Sequence, residues 1–344
     1  MAAATTYGIF PAISRTETNA APLLYSGDHM QVVIPKERLL PGSLWIESKH
    51  ASTALPDEAH LESYDMIQKV AAIWKKEKGI THFFVIAKSE AAGRAPIQFR
   101  WEMIPFPDSQ LSVLSRISFL ERSFRLFMRV NFGGYFVSPS EVQREYAFYE
   151  PRKAIFSQPF VKEADKVEET RKDFFCDSEK RAKQLIFEGR NVNVYYDYAP
   201  LGVPLKKGEP AVHFLIAPKA HRENFYSLTK WEYLETSLYA SALNEHYTKE
   251  READCYHIHR TGRRLQSVWH HHQHFHANPR EKDFGVKMTV LSKMLLGGRV
   301  LPPAELQKSV DELRPHVESL LLPLRMRAME FEQSSEKVHL HSKL

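Results

Sequence analysis

Residues 266–276 have the sequence QSVWHHHQHFH, which places five histidines within the seven positions from His270 to His276. We predict a strand over 267–276, in which alternate side chains share a face at a spacing of roughly 6.6 Å. The imidazoles that would point the same way are those of His270, His272, His274 and His276. His271, Gln273 and Phe275 would point to the opposite face. Four imidazoles on one face are costly to bury unless they are hydrogen-bonded or used in chemistry.

Three interpretations of this histidine run compete. A zinc site is one, because a His-x-His pair on a strand has suitable geometry. A solvated segment without function is the second, although the run is internal and has ordinary sequence on both sides. Nucleophilic catalysis is the third, in which a neutral imidazole attacks phosphorus while its neighbours handle protons and charge. The flanking sequence decides between them.

Composition sets the class of protein. A chain of 344 residues exceeds the usual size of one domain, so two domains or a duplicated domain are expected. The net charge of +5 is too small to indicate a nucleic-acid surface, and no apolar stretch approaches the ~20 residues that cross a bilayer. Cys176 and Cys255 are the only cysteines, which excludes a disulfide framework and a cysteine-based zinc site. We expect no nucleic-acid or membrane partner, no metal and no cofactor.

The order of predicted elements occurs twice along the chain. In the first half we predict strands at 30–34, 43–47, 81–87 and 97–104, with a helix at 58–78. In the second half we predict strands at 184–188, 192–197, 212–217, 254–259 and 267–276, with a helix at 229–248. That helix follows Thr229 with Glu232 three residues on, a capping-box spacing. An internal duplication of about 100 residues is our interpretation, because the period exceeds that of solenoid repeats.

The sequence QSVWHHHQHFH resembles the signature of the histidine-triad superfamily, especially its Hint-type branch, where Gln-Ser-Val-aromatic leads into His-x-His-x-His. KQLIFEGRNVNVYYDYAP at 183–200 is similar to that branch's first strands, and HFLIAPKAH at 213–221 to its His-hydrophobic-Pro-Lys-x-His segment. The resemblance covers about 171–280, and the N-terminal half matches only in layout. The whole chain resembles the fused two-half arrangement of galactose-1-phosphate uridylyltransferase and dinucleoside polyphosphate phosphorylases.

The resemblance implies an α+β fold with two histidine-triad-like domains, each an antiparallel sheet with helices, arranged as an intramolecular pseudo-dimer. The implied organisation is an arm at 1–24, a degenerate domain at 25–110, a helical connector at 111–170, an active domain at 171–285 and a helical extension at 286–344. Within the extension, Pro302-Pro303 predicts a break, and Pro315 and Pro323 predict kinks or ends. A monomer with an internal pseudo-dimer and a homodimer both fit this organisation.

Two placements of the triad remain open. The QSVWH context and the gapless spacing from Asp254 favour His270, His272 and His274, with His272 as the nucleophile. The proline three residues after His276 instead favours His272, His274 and His276, with His274 as the nucleophile. We prefer the first.

The resemblance also implies the roles of neighbouring side chains. His270 would orient the ring of His272, and His274 and Ser267 would donate to phosphate oxygens or to the leaving group. Other predicted nucleotide-binding residues are Asp197 for the ribose, Ile186 and Phe187 for the base, Gln266 on the approach loop, His259 and His213. Packing in the core is the alternative for Ile186 and Phe187, and a structural role is the alternative for His213.

The implied function is a nucleotide hydrolase or nucleotidyltransferase that acts at an α-phosphate through a covalent nucleotidyl-histidine. Its substrate would be a nucleoside phosphoramidate, a dinucleoside polyphosphate or a nucleotide-sugar. His274 implies a hydrolase, because transferases of this superfamily usually have Gln there, whereas the fused arrangement implies a transferase. The alternative is a nucleotide-binding sensor or scaffold that uses the same pocket without cleavage.

Where the second half has histidines, the first half has Gln98, Arg100 and Glu102. None of these is a nitrogen nucleophile for phosphorus, so we predict that the first half lacks the chemistry. Arg100 could reach a phosphate, or it could pair with Glu102 or a surface acid.

The last three residues, Ser342-Lys343-Leu344, match the tripeptide that directs proteins to peroxisomes in eukaryotes. A peroxisomal location is therefore one expectation, and a cytoplasmic location is the other.

Overall fold

The structure is a computed structural model that describes residues 22–52, 54–89, 99–106, 121–126, 128–129, 134–160, 173–263, 265–280, 284–296 and 298–341. Contacts divide the described residues into two compact units. Unit 1 contains those between 22 and 160 together with 260–263 and 265, and unit 2 contains 173–259 and those from 266 onward. Most of the predicted N-terminal arm, part of the predicted connector and the C-terminal tripeptide lie outside the described residues.

Unit 1 is built on a five-stranded antiparallel sheet in the order β1-β2-β4-β6-β5. The strands of unit 1, including two outside that sheet, are β1 (Leu23–Ser26), β2 (Met30–Val33), β3 (Glu37–Arg38), β4 (Leu44–Ser48), β5 (His82–Ser89), β6 (Arg100–Phe106) and β7 (Tyr135–Phe136). The helices of unit 1 include α1 (Asp57–Lys78), α2 (Pro139–Tyr149) and α3 (Ala154–Ser157). The short strands β3 and β7 form a separate pair. Helix α1 ends at Gly79, whose left-handed φ of 63° a residue with a side chain adopts only at a cost.

Unit 2 contains five antiparallel strands in the order β8-β9-β10-β12-β11. These are β8 (Leu185–Glu188), β9 (Val192–Tyr196), β10 (Val212–Pro218), β11 (Ala253–Thr261) as far as His259, and β12 (Gln273–Pro279), and the helices are α4 (Ser178–Ala182), α5 (Lys230–Lys249), α6 (Phe284–Leu296) and α7 (Pro303–His341). The strand order matches that of unit 1 position by position, with β12 in the place of β6. In each unit a long helix connects the third and fourth sheet strands along the chain: α1 connects β4 to β5, and α5 connects β10 to β11.

The predicted α+β class is confirmed, since antiparallel sheets, helices and a long C-terminal helix are all present. The predicted start of α5 is also confirmed: the side chain of Thr229 accepts from the N–H of Glu232, and the Glu232 side chain accepts from the N–H of Thr229. The break at Pro302-Pro303 separates α6 from α7. The pseudo-dimer arrangement and the domain boundaries remain predictions.

Two local features differ from the predictions. Pro315 and Pro323 do not end a helix, because both lie inside α7, and a kink at either one remains a prediction. The strand predicted over 267–276 begins only at Gln273, so His270, His271 and His272 lie in the loop that enters β12. The contacts that hold this loop, given below, explain why the strand begins late.

The two faces of the unit 2 sheet have different coverings. One face carries Phe214 and Phe275 and packs in a hydrophobic core with residues of α5 and α7, among them Tyr239 and Val317. The other face carries Leu215, Tyr195 and Ala217, which pack with Phe175 from the segment before α4. The histidines of β10 and β12 lie on this second face. No helix among the described residues is long and apolar enough to span a membrane.

Candidate active site

Strands β10 and β12 bring three histidines together. In their antiparallel register His213 lies opposite His276, and Leu215 lies opposite His274, so these side chains share a face. The Nε2 atom of His213 is 3.0 Å from Nδ1 of His274. The ring of His276 stacks on that of His213, with 3.8 Å between centroids. All three side chains are buried.

The loop before β12 is held by the segment before α5. The backbone N–H of His271 donates to the carbonyl of Arg222. The side chain of Gln266 donates to the carbonyl of Glu223 (2.9 Å), and the indole of Trp269 donates to the Glu223 carboxylate (2.6 Å). These hydrogen bonds hold residues 266–271 against Arg222 and Glu223 instead of in register with a neighbouring strand. The strand predicted from 267 therefore starts at 273.

Arg222 is itself fixed, because its Nε lies 3.0 Å from both carboxylate oxygens of Glu232 in the first turn of α5. Glu232, which completes the capping box of α5, therefore also anchors the loop that carries His270, His271 and His272. Charge-assisted contacts of this kind are among the stronger hydrogen bonds in proteins.

His272 has a defined tautomer. Its Nδ1 lies 2.8 Å from the carbonyl oxygen of His270, and a carbonyl can only accept a hydrogen bond. The neutral ring therefore carries its proton on Nδ1 and its lone pair on Nε2. Only 4% of the side chain is exposed, and the ring of Phe175 lies 5.2 Å away between centroids. The arrangement presents one basic nitrogen in a largely water-excluded site.

Alternate residues of the run face the same side, as predicted. The ring of His272 is 4.7 Å from that of His274, and Phe175 contacts both His270 and His272. His271 points elsewhere, with its Nε2 3.2 Å from Nδ1 of His259 and the two rings stacked. The side chains predicted as the triad therefore lie together, and His276 continues the series beside His274. We call His270, His272, His274 and His276 the histidine row.

Asp197 contacts this row through His213. One carboxylate oxygen lies 3.1 Å from His213 Nδ1, and the other accepts the N–H of Ala199 at 2.9 Å. The predicted ribose-binding acid thus begins a chain that runs from Asp197 to His213 and on to His274.

The remaining predicted residues lie in three places. Ile186 and Phe187 are buried in the core beneath α5 and α7, on the face away from the histidine row. His259 lies with His271, next to Phe225 and Tyr233. Ser267 is exposed, and Gln266 binds Glu223. The structure does not bring Ile186, Phe187 or His259 to the row.

The pair of His259 and His271 stays neutral in the folded protein. Burial, together with the neighbouring His257 and His272, lowers the pKa of His259 to about 3. Burial lowers the pKa of His257 to about 4, and it also lowers the pKa of His271. At neutral pH these rings are therefore uncharged hydrogen-bonding groups.

Three residues that sequence reasoning missed surround His270. Asp173 Oδ2 lies 2.8 Å from His221 Nδ1 and 3.3 Å from His270 Nδ1, and Cys176 Sγ lies 3.6 and 3.7 Å from the same two nitrogens. One donor atom from each of the four lies within 4.8 Å of the others. The Asp-x-x-Cys spacing and the final histidine of HFLIAPKAH were the available signals. Two cysteines cannot form an all-cysteine site, but a single cysteine such as Cys176 can join a mixed set of donors.

This group fits a divalent transition metal. Sulfur, carboxylate oxygen and two imidazoles are donors that zinc accepts in a tetrahedral site. Burial opposes ionisation of Asp173, but hydrogen bonds from His270 and Cys176 outweigh it and hold the pKa at about 2. Burial and the Asp173 charge raise the pKa of Cys176 to about 11, so without an ion the thiol stays protonated. A metal held here would fix the residue whose carbonyl orients His272.

Comparison with known proteins shows only distant similarity. No protein-family model matches this sequence, and no curated protein matches it. Among solved structures the chain is similar to a uridylyltransferase at 14% identity, covering 80% of this chain and 76% of that chain, with a TM-score of 0.44. A GalT-like protein from Arabidopsis thaliana matches at 11% identity, 86% and 89% coverage and a TM-score of 0.47.

An ADP-glucose phosphorylase from Arabidopsis thaliana with bound ADP-glucose matches at 12% identity, 84% and 86% coverage and a TM-score of 0.46. Similarity at this level assigns neither an activity nor a substrate, so the function is argued from the side chains of the site.

Proposed function

We propose that unit 2 transfers a nucleotidyl group from an α-phosphate through a covalent intermediate on His272. The observation that carries the proposal is the bond from His272 Nδ1 to the His270 carbonyl, which leaves Nε2 as a buried, basic nitrogen. An imidazole in this state is a suitable nucleophile for phosphorus at neutral pH. The substrate class is a nucleoside phosphoramidate, a dinucleoside polyphosphate or a nucleotide-sugar.

In the first step, His272 Nε2 forms a bond to the α-phosphorus as the bond from phosphorus to the leaving group breaks. The leaving group departs with that electron pair and takes up a proton. In the second step, the oxygen of water or of a phosphate acceptor attacks phosphorus, the phosphorus–nitrogen bond breaks, and its electron pair returns to Nε2. The proton that an attacking water gives up passes to the group that protonated the leaving group, which restores that group. Water as acceptor makes the protein a hydrolase, and a phosphate or sugar phosphate makes it a transferase.

The proton for the leaving group is assigned to His274. Its ring is the neighbour of the His272 ring, and its Nδ1 faces Nε2 of His213. In the tautomer that serves this step, His274 Nδ1 is the acceptor of its contact with His213 Nε2. His274 then carries its own proton on Nε2, where it can be given to a departing oxygen or nitrogen. In this step Asp197 acts through His213.

The test is mass spectrometry of the intact protein after brief incubation with a panel of nucleotides. The reaction is quenched at alkaline pH, because phosphorus–nitrogen bonds hydrolyse in acid. We expect a nucleotidyl adduct that maps to His272 and is absent from His272→Asn. Stoichiometric nucleotide binding with neither adduct nor cleavage across the panel would favour the sensor alternative. An adduct on His274 would favour the second placement of the triad.

A further inference from the structure

We propose that His213, His274 and His276 form a binding site for a divalent transition metal, with zinc as the best fit. His274 and His276 are a His-x-His pair on β12, and His213 lies directly opposite His276 on β10. One ring nitrogen from each lies within 4.8 Å of the other two. Alternate residues of one strand and a facing residue of the next thus present three imidazoles to one point.

The spacing of the donor atoms suits a tetrahedral ion. With zinc–nitrogen bonds of about 2.0–2.1 Å, two nitrogen ligands of such an ion lie roughly 3.3 Å apart. His213 Nε2 and His274 Nδ1 are 3.0 Å apart, so they need only a small separation to admit the ion. Three histidines leave the fourth position for water or for an oxygen of an anion.

Asp197 supports the site from behind. Its carboxylate lies 3.1 Å from His213 Nδ1, a nitrogen that the backbone N–H of Leu201 also approaches at 3.3 Å. With the ion bound, the carboxylate would hold a proton on Nδ1 and leave the lone pair of Nε2 to the metal. Metal-binding histidines commonly donate their second nitrogen to a carboxylate in this way, which fixes the tautomer and makes the ligand more basic. Asp197, the residue that follows β9, would thus support the metal through His213.

Burial is consistent with a closed site. The relative exposures of His213, His274 and His276 are 0, 5 and 5%, on the sheet face opposite the large core. His276 takes no part in the transfer steps proposed above, so metal ligation would give this buried imidazole a role of its own. The binding of the ion does not depend on the proposed transfer.

The experiment must separate this site from the group around Cys176. We would prepare the protein without a polyhistidine tag and use Cys176→Ser/His221→Gln as the background, which removes two ligands of the other group. Apo-protein is titrated with Co²⁺, whose visible absorption reports tetrahedral nitrogen ligands and whose near-ultraviolet charge-transfer band reports a thiolate. We expect the background variant to bind one Co²⁺ per chain without the thiolate band.

Adding His276→Gln to this background should weaken Co²⁺ binding by more than about tenfold, because losing even a supporting carboxylate costs about 10–100-fold. Adding Asp197→Asn should weaken it by about 10–100-fold, and it keeps the test valid if the His276 variant does not fold. His29→Gln is the matched control, since His29 is exposed in unit 1 and should leave binding unchanged.

Equal Co²⁺ affinity in the background with and without His276→Gln and Asp197→Asn would overturn the proposal, as would no binding by the background itself. The outcome is separable from that of the proposed function. Metal binding without a nucleotidyl adduct would count against the transfer alone, and an adduct in a protein that binds no metal would count against this site alone.

Discussion

Strands β6 and β12 occupy the same position in the strand orders of their units, yet they bury polar side chains of different kinds. In unit 1 the Nε of Arg100 pairs with the carboxylate of Glu47 at 2.9 Å, with both side chains more than nine-tenths buried. Glu102 accepts from the N–H of Leu39 at 2.7 Å and from the indole of Trp45 at 3.1 Å. In unit 2 the buried histidines of β12, His274 and His276, instead contact another imidazole, that of His213.

The difference shows how one topology can hold either a structural or a chemical centre. Opposite charges that satisfy each other leave no nucleophile, and Arg100 is further fixed over the Trp45 ring at 3.7 Å. Imidazoles both donate and accept, so a row of them can be satisfied while one basic nitrogen is directed at a substrate. The expected partner of Arg100 was Glu102 or a surface acid, and the structure gives Glu47, a buried residue of β4.

The largest expected effect comes from the nucleophile. His272→Asn should lower turnover by a factor on the order of 10⁴ or more, because removing a covalent nucleophile eliminates the pathway it supports. Nucleotide affinity should change by less than about tenfold, since Asn keeps a hydrogen-bonding group at the position. Steady-state kinetics and equilibrium binding check this, with His29→Gln as the control. Wild-type turnover in the His272 variant would remove the basis of the comparison.

Arg100→Met in unit 1 should act on stability and leave chemistry intact. It removes the charged partner of the buried Glu47 carboxylate, which keeps the Gln31 amide as a donor at 2.9 Å. Breaking one partner of a buried pair costs about 3–5 kcal/mol. The double variant Arg100→Met/Glu47→Leu should recover most of this, because apolar replacement of both partners is often neutral. Urea unfolding measures the loss, and turnover per folded molecule should stay within twofold of the parent. A hundredfold loss of turnover would show that unit 1 takes part in the chemistry.

One buried ionisable group in each unit should make the free energy of unfolding depend on pH, and the two dependences should have opposite signs. His257 has a folded pKa of about 4 against 6.5 when unfolded, so its contribution is complete above pH 6.5 and is lost as the pH falls toward 4. The expected loss is about 3 kcal/mol. Burial raises the pKa of Glu102 from 4.5 to about 7, so its contribution is complete below pH 4.5 and is lost as the pH rises through 7.

The measurement is urea unfolding between pH 4 and pH 7.5 for the parent, His257→Gln and Glu102→Gln. His257→Gln should reduce the loss of stability on acidification, and Glu102→Gln should remove a loss on going from pH 4.5 to pH 7.5. Parallel pH profiles for all three proteins would contradict the assigned ionisation states.

Much of the fold could be predicted from the sequence because the relevant signals are local. The period of apolar residues predicted 58–78 as a helix, which is observed at 57–78, and the Thr229–Glu232 spacing predicted the start of α5. The late start of β12 could not be predicted, since it depends on bonds to Arg222 and Glu223, more than 40 residues away in sequence. The continuation of α7 through two prolines is likewise decided by its packing on the sheet and on α5 rather than by local preference.

The candidate site shows the same division. The histidine row follows from alternation along an extended chain, which holds even where no strand ladder forms. The tautomer of His272 depends on a carbonyl, and the partners of His270 include Asp173 and Cys176, almost 100 residues earlier. Ile186 and Phe187 could have faced either side of the sheet, and a register irregularity in β8 allows both to enter the core. Sequence spacing carries no information about such choices.

The smallest effects come from two tryptophans that play parallel parts. Trp45 donates to a buried carboxylate in unit 1, and Trp269 donates to Glu223, which also holds the loop of His272 through its carbonyl. Each Trp→Phe change removes one hydrogen bond to a carboxyl group, which we expect to cost about 1–3 kcal/mol at the buried Trp45 and about 1 kcal/mol at the more exposed Trp269. Only Trp269→Phe should lower turnover, by several-fold, because it loosens the loop that aims the nucleophile, while Trp45→Phe should leave turnover unchanged. Unfolding and kinetics on the two variants separate stability from positioning, and equal turnover in both would mean that the Trp269 bond supports the fold without orienting His272.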